Sequence, residues 1–520
     1  MIYKFLSHLL LIFLVSTTLP YNLRAQPKST VENLIPKPVS ATAENGMFTL
    51  TKETAIYVEG DMPQLIQVAQ SLANQLKPVT GFALPVSSFK GDYKTGNIYL
   101  VVKANDTELG DEGYDLTISK EFIKVTANKP AGLFYAIQTV TQLLPAKVEL
   151  STLQKGPWEL PACTIRDYPA YAFRGSMLDV ARHFFNVEDV KRYIDLISFY
   201  KMNILHLHLS DDQGWRIEIK AWPNLTAHGG SSEVGGGKGG FYTQEQYKDL
   251  VRYAMDKFVT VIPEIDMPGH TNAALASYAE LNCNDSATKL YSGTDVGFST
   301  LCTKKEITYK FVDDVIKELS ELTPGPWIHI GGDESHATAK EDYIPFENRV
   351  QQIVKAHGKQ VIGWDEIALS TIQAGSVAQY WSNAKNSQQA VKQGAKIIMS
   401  PATRTYLDMK YNTSTKLGQH WAAYIEVDSA YDWNPSSLVE GITKENILGI
   451  EAPLWTETIT NMDEIEYMVF PRLIGIAEIA WSPATNKNWE EYKIRLAEQA
   501  SRMKALRIDF YESKLVPWKE

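Results

Sequence analysis

The residues of this chain best suited to chemistry gather in "WIHIGGDESH", positions 327–336, where two glycines separate an apolar run from the adjacent acids Asp333 and Glu334. Side chains alternate faces along a strand, so neighbouring acids share one side only where the chain bends, and Gly331 and Gly332 permit that bend. Two carboxylates confined to one mouth push their pKa values apart, so that one stays ionised while the other carries a proton it can donate near neutral pH. That is equipment for general acid catalysis. On an exposed turn the same two acids would simply be solvated.

Histidines and tryptophans extend the set. "HLHLSDD" puts His206 and His208 on one strand face ahead of Asp211 and Asp212, a pattern that could hold a catalytic metal in the manner of an amidohydrolase. Against that reading, the later acid-rich segments offer no lysine or second histidine pair suited to two metals; hydrogen-bonded histidines in a packed core are the plainer reading, and neither metal nor cofactor is expected. Trp364, Trp381 and Trp455 fall at or just past apolar runs, and Tyr406 and Trp421 lie beyond "KIIMS". Indoles converging beside acids and an arginine suit a pocket that stacks on sugar rings while charged groups hold hydroxyls.

Something must bring these residues together. From residue 26 to 166 the pattern is mixed, with strands at "NIYLVV", "YDLTIS" and "FIKVTA" and helices over 63–77 and 130–144, which predicts a small α+β domain. After "RDYPAYAFRG" eight apolar runs, "GSMLDV", "NILHLHLS", "VTVIPEID", "WIHIGG", "QVIGWD", "VAQYW", "KIIMS" and "ILGIEAPLW", alternate with helical segments that include 187–200, 243–257, 306–322, 344–357, 385–393 and 463–479. Residues 167–520 therefore read as a (β/α)8 TIM barrel, of α/β class, with its site at the C-terminal strand ends; a doubly wound open sheet is the alternative. The polar residues do cluster where the runs finish, as in "LDVARH", "PEIDMPGH", "GWDE" and "APLWTE". The run "GGSSEVGGGKGG", 229–240, lacks a G-K-[ST] ending and reads as a mobile active-site loop.

Composition bounds the rest. Residues 1–25, with Lys4 ahead of an apolar run from Leu9 to Val15, read as a secretory signal, which implies a periplasmic or secreted protein. No other segment approaches the roughly 20 apolar residues of a membrane span. The formal charge of −10 becomes −12 without Lys4 and Arg24, which argues against nucleic acid or an anionic membrane as partner. Of three cysteines, Cys283 and Cys302 bracket a loop-like stretch and are expected to pair, leaving Cys163 buried and free.

The motifs "LDVARHFF", "HLHLSDDQGWRIEI", "PEIDMPGH", "HIGGDE", "TYLDMKY" and "EAPLWTE", together and in this order, resemble the family 20 glycoside hydrolases, the β-N-acetylhexosaminidases. The resemblance implies an α+β domain ahead of a (β/α)8 barrel and an exo-acting, retaining hydrolysis of terminal β-linked GlcNAc or GalNAc from oligosaccharides and glycoconjugates. It also implies that the substrate's own acetamido oxygen is the nucleophile, an exception among glycosidases. By that resemblance Glu334 is the general acid and then base, Asp333 holds the acetamido nitrogen and steadies an oxazolinium-type intermediate, and Tyr406 bonds the acetamido oxygen. Arg182, Asp408 and Glu457 would hold hydroxyls, Trp364, Trp381, Trp421 and Trp455 would wall the pocket, and Asp211 and His270 would relay to Glu334. Asp179, His206, His208, Asp266 and His329 are expected to support them. A metal-dependent deacetylase using His206 and His208, and a chitin-binding protein without catalysis, are the rivals.

Overall fold

The computed structural model describes residues 30–59, 62–103 and 105–519, so the expected export signal at 1–25 lies outside the described residues. The chain first builds a seven-stranded sheet from β1 (Ser40–Leu50), β2 (Ile56–Glu59), β3 (Val86–Ser88), β4 (Asn97–Val102), β5 (Tyr114–Ile118), β6 (Phe122–Ala127) and β7 (Trp158–Asp167), in the order β1-β7-β5-β6-β4-β2-β3. Helices Pro63–Thr80 and Pro130–Leu143 close its core. Both begin with proline, whose missing N–H costs nothing at a first turn. The first helix buries Leu65, Val68, Leu72 and Leu76 at helical spacing and stops at Gly81, whose φ of 74° lets its N–H reach the carbonyl of Lys77. Strand β1 carries little apolar pattern because most of it is exposed, and its place is set by antiparallel pairing with β7.

Eight parallel strands then close a barrel, β8 (Phe173–Asp179), β9 (Ile204–His208), β10 (Thr260–Glu264), β11 (Trp327–His329), β12 (Gln360–Trp364), β13 (Val377–Tyr380), β14 (Lys396–Met399) and β15 (Ile447–Leu454). Each overlaps one of the eight apolar runs, and β15 pairs with β8, which closure requires and an open sheet lacks. One helix departs from expectation. The segment 463–479 is two helices, Met462–Val469 and Arg472–Trp481, because Pro471 has no N–H to continue the first.

Inside the barrel the strands carry two layers of opposite character. Phe173, Ile204, Ile262, Ile362, Val377 and Ile398 form an apolar plug. Two residues further along, on the same face, stand Gly175, His206, Glu264, Trp364, Gln379 and Ser400, with His329 and Glu451 beside them, all but the glycine at most 1% exposed. The second layer lies directly under the strand ends where chemistry is expected.

The two units share a buried polar joint. Asp167, at the end of β7, accepts from Tyr114 Oη (2.7 Å), Lys201 Nζ (2.8 Å) and Trp481 Nε1 (2.9 Å). Arg174, at the start of β8, forms a two-pronged pair with Glu112 at 2.7 and 3.0 Å. Among the described residues no helix is long and apolar enough to cross a membrane. Removing one partner of a buried pair leaves the other charge uncompensated, so Asp167→Ala should cost about 3–5 kcal/mol in denaturant unfolding. The double variant Asp167→Leu/Lys201→Met should lose clearly less; an Asp167→Ala loss below about 1 kcal/mol would show the joint to be dispensable.

Candidate active site

The catalytic-looking acids owe their position to a bend just past β11. Gly331 and Gly332 take φ of 67° and 101°, and Glu334 itself takes 44°, a region where a side chain is strained unless the surroundings hold it. They do. Asp266 Oδ1 accepts from the N–H of Gly332 at 3.0 Å, and Tyr343 Oη donates to the carbonyl of Gly332 at 2.8 Å. A methyl group on Gly331 would lie 1.8 Å from Asp266 Oδ1, so only glycine fits. The bend leaves Asp333 8% exposed, with Oδ1 lacking any hydrogen-bond partner. Glu334 is partly open, its side chain 30% exposed.

Behind the pair stands His270. Its Nε2 lies 3.6 Å from Glu334 Oε2 and 3.9 Å from Asp333 Oδ2, and its Nδ1 lies 3.2 Å from Asp211 Oδ1. Asp211 Oδ2 in turn meets Arg182 Nη2 and His208 Nε2, both at 2.8 Å. Asp211 is 1% exposed and surrounded by protein partners, so its place is behind the sugar pocket, holding Arg182 and His270, and not against a substrate. Arg182 is set by Asp179, whose Oδ1 accepts from the N–H groups of Ala181 and Arg182 and whose Oδ2 accepts from Thr456, tying the ends of β8 and β15.

The glycine-rich run 229–240 corrects the expectation of a free loop. The buried guanidinium of Arg216 donates to the carbonyls of Gly230, Ser232 and Gly240 and to those of Val180 and Ala181 beside Arg182. With burial outweighing its neighbours, Arg216 falls to about 10, still well charged at neutral pH. The loop is therefore tied to the turn that carries Arg182. Cys283 and Cys302 form a disulfide, and Gly297 within the loop it closes is packed against the carbonyl of Glu334 and the ring of His336. Cys163 is free and buried, its thiol pushed up to about 12 by burial.

At the same end of the barrel lies an aromatic wall. Trp364 and Trp455 have ring centroids 5.8 Å apart, Tyr406 lies 6.3 Å from Trp455 and 6.0 Å from Trp421, and Trp381 meets Trp421 edge-on at 6.1 Å. Trp364 is at the bottom, 1% exposed, and Trp421 at the rim, 55% exposed. Asp365 holds Trp381 by accepting from the N–H groups of Trp381, Ser382 and Asn383. The loop bearing Tyr406 and Asp408 is held by Arg472, which donates to the carbonyls of Leu407, Met409 and Ile425. Asp408 is 2% exposed with both carboxylate oxygens unpartnered; burial and the neighbouring Glu457 push it well above the usual range.

Electrostatics divide the acid pair in an order the sequence does not suggest. Asp333 is raised well above the usual carboxylate range by burial and by Asp266, which outweigh the opposing charge of His270 at 3.9 Å. At Glu334 burial acts upward but the charge of His270 at 3.6 Å, with Arg182 further off, outweighs it and holds the group low. The two acids are thus shifted in opposite directions, Asp333 upward and Glu334 downward.

His206 and His208 are built for hydrogen bonds more than for metal. His206 contacts Glu451 (2.9 Å) and Glu264 (3.1 Å), and His208 lies between Glu264 and Asp211. Despite burial, these anions raise His206 to about 9 and His208 well above its usual value. Glu264, which no motif argument singled out, is the hub. It also accepts from Trp364 Nε1 at 2.9 Å and faces His329 Nδ1 at 2.9 Å. Its signal was present in "PEID", two residues beyond Ile262 on the same strand face. Glu366, bonded to Trp381 Nε1 at 3.1 Å and raised well above its usual value by burial and Asp365, was missed as well.

A closed β/α barrel with paired carboxylates under an aromatic wall defines a class, the barrel enzymes built to grip a sugar ring. Residues 171–484 match the glycosyl hydrolase family 20 catalytic domain and residues 31–168 match domain 2 of that family. The chain belongs to glycosyl hydrolase family 20. It is 38% identical over 492 residues to a β-N-acetylhexosaminidase of Cellulomonas fimi, covering 93% of this chain and 97% of that one. Among solved structures, the family 20 β-N-acetylhexosaminidase of Streptomyces coelicolor A3(2) is 49% identical with a TM-score of 0.91, over 94% of this chain and 99% of that one. A mutant Streptomyces plicatus β-hexosaminidase solved with its product GlcNAc is 50% identical, also at 0.91, over 94% and 98%.

Because misplacing reacting groups by an ångström can cost roughly 100-fold, Gly331→Ala should lower glycoside turnover by at least about that factor while far-UV circular dichroism stays unchanged. Retained turnover would mean the bend is not what aims Asp333 and Glu334.

Proposed function

We infer that this protein is a β-N-acetylhexosaminidase, an exo-acting retaining hydrolase of terminal β-linked GlcNAc and GalNAc on oligosaccharides and glycoconjugates. The observation that carries the reading is the arrangement of Asp333 and Glu334, one buried with an unpartnered oxygen and one open, beneath the Trp364 and Trp455 wall. A sugar ring stacked on that wall leaves its hydroxyls to Arg182, Asp408 and Glu457. Its acetamido group then points toward Asp333 and Tyr406.

Binding would redistribute the proton. The acetamido N–H donates to Asp333 and so favours its anion, while the ring displaces water from Glu334 and favours its neutral form. Glu334 is then the acid. The acetamido carbonyl oxygen attacks the anomeric carbon as the glycosidic bond breaks, and the proton of Glu334 goes to the leaving oxygen. The positive charge that develops on the oxazolinium ring is held by the Asp333 carboxylate. Water next attacks the anomeric carbon, returning its proton to Glu334 and reopening the acetamido group. Two inversions leave the anomeric configuration as it began.

Turnover of a chromogenic β-GlcNAc glycoside tests the assignment. Glu334→Gln should lower kcat/KM by roughly 10²–10⁴-fold and Asp333→Asn should lower kcat by about 10²–10³-fold with little change in KM. A thiazoline analogue of the intermediate should inhibit strongly; a trapped glycosyl ester on the enzyme would instead establish a protein nucleophile. Export belongs to the same proposal. It is supported by the leading segment of residues 1–25 and by a disulfide, which persists best in an oxidising compartment. Cell fractionation should find the protein outside the cytoplasm with its leading residues removed.

A further inference from the structure

The contacts behind Glu334 do not end at Asp211. They continue from Asp211 Oδ2 to His208 Nε2 at 2.8 Å and from His208 Nδ1 to Glu264 Oε2, inside the barrel. We propose that His208 and Glu264 are positioning residues of the reaction, the inner links of a five-group chain Glu264–His208–Asp211–His270–Glu334 that governs when Glu334 gives and takes its proton.

Hydrogen-bond distances join the inner links, an ion-pair contact of 3.6 Å from His270 Nε2 to Glu334 Oε2 makes the last one, and the charges alternate along the chain. Anions at Glu264 and Asp211 flank an imidazolium at His208, and anions at Asp211 and Glu334 flank one at His270. The four inner groups are at most 2% exposed, so each charge is stabilised chiefly by its neighbours in the chain and little by water. The protonation equilibria point the same way at every link. Burial opposes each charge, yet Glu264 and Asp211 are held low by the cations beside them, and His208 and His270 are held high by the anions.

Other charged groups face the chain and must be weighed. His208 also meets Arg182 Nη1 at 3.4 Å and feels Asp179; His270 lies 3.9 Å from both Asp212 and Asp333 and feels Asp266. Glu264 also faces His206 at 3.1 Å and His329 at 2.9 Å. Arg182 gives Asp211 a second cation, which weakens the transmission through Asp211 without breaking it. The direction of the effect is fixed. Losing the charge at Glu264 lets His208 shed its proton, which leaves the Asp211 anion with less compensation, and a less compensated anion there holds His270 more firmly as a cation. The Asp333 and Glu334 pair then gives up its proton at lower pH.

This inference rests on Glu334 as the acid and base, and its test separates the two claims. The pH profile of kcat/KM, which reports the free enzyme, is measured on a β-linked GlcNAc disaccharide for the wild type, Glu264→Gln, His270→Asn and the double variant. Glu264→Gln should move the basic limb downward by roughly half a pH unit and lower kcat more than it raises KM. In the His270→Asn background the same substitution should leave the limb where it is. An unmoved limb in the single variant, or an equal shift in both backgrounds, overturns the proposal and leaves Glu264 a packing residue. Should Glu264→Gln not fold, His208→Gln cuts the chain one link nearer and is judged by the same two outcomes. Full turnover by Glu334→Gln would be a different result, sinking the acid and base assignment itself.

Discussion

One buried carboxylate, that of Asp211, organises the mouth of the barrel. An anion without water must find its compensation in neighbouring donors, and Asp211 finds it in Arg182, His208 and His270 at 2.8, 2.8 and 3.2 Å. Each of these donors has a second duty. Arg182 stands over the face of Trp455 at 4.7 Å, His270 stands behind Glu334, and His208 reaches down to Glu264. Moving Asp211 would therefore disturb Arg182, the surroundings of Glu334 and the barrel interior together.

The barrel makes such a cluster possible by separating its interior into layers. The apolar plug under the site supplies the close packing that stabilises the fold, which leaves the next layer free to be polar. In that layer the cost of burying imidazoles and carboxylates is offset because they are paired across strands, Glu264 on β10 with His206 and His208 on β9 and His329 on β11, and Glu451 on β15 with His206 and Gln379. The pairing links non-adjacent parts of the chain into one rigid floor. On it the bend at Gly331 and Gly332 can hold Asp333 and Glu334 in an unfavourable backbone conformation without the turn relaxing.

The loops that complete the pocket follow the same rule. Arg216 gathers the glycine-rich run, Arg472 gathers the loop of Tyr406 and Asp408, and Asp365 gathers the N–H groups at Trp381. None of these three groups faces the sugar pocket. They satisfy backbone carbonyls and amides that would otherwise be stranded where loops cross a crowded mouth, and in doing so they fix the position of side chains that do. Away from the mouth, the joint at Asp167, Lys201 and Arg174 anchors the barrel's N-terminal strand ends to the α+β domain.

Much of this was legible in the chain itself. Hydrophobic alternation and helical spacing placed all eight barrel strands, because buried parallel strands must be nearly continuous in apolar residues. The ends of those strands named Asp333, Glu334, Trp364, Trp381 and Trp455, since polar residues interrupting such runs have few other reasons to be there, while the role of Tyr406 came only from the family resemblance. Spacing could not reveal β1, which is largely exposed, or the break at Pro471 that frees Arg472. Nor could it reveal Glu264, whose importance comes from partners 56 and 100 residues away in the chain. The sequence by itself determined which groups are present and on which strand ends they ride. Only the tertiary structure decided that the two acids shift in opposite directions, because Asp333 is buried with Asp266 nearby while the more open Glu334 lies 3.6 Å from His270, positions set by closure of the barrel.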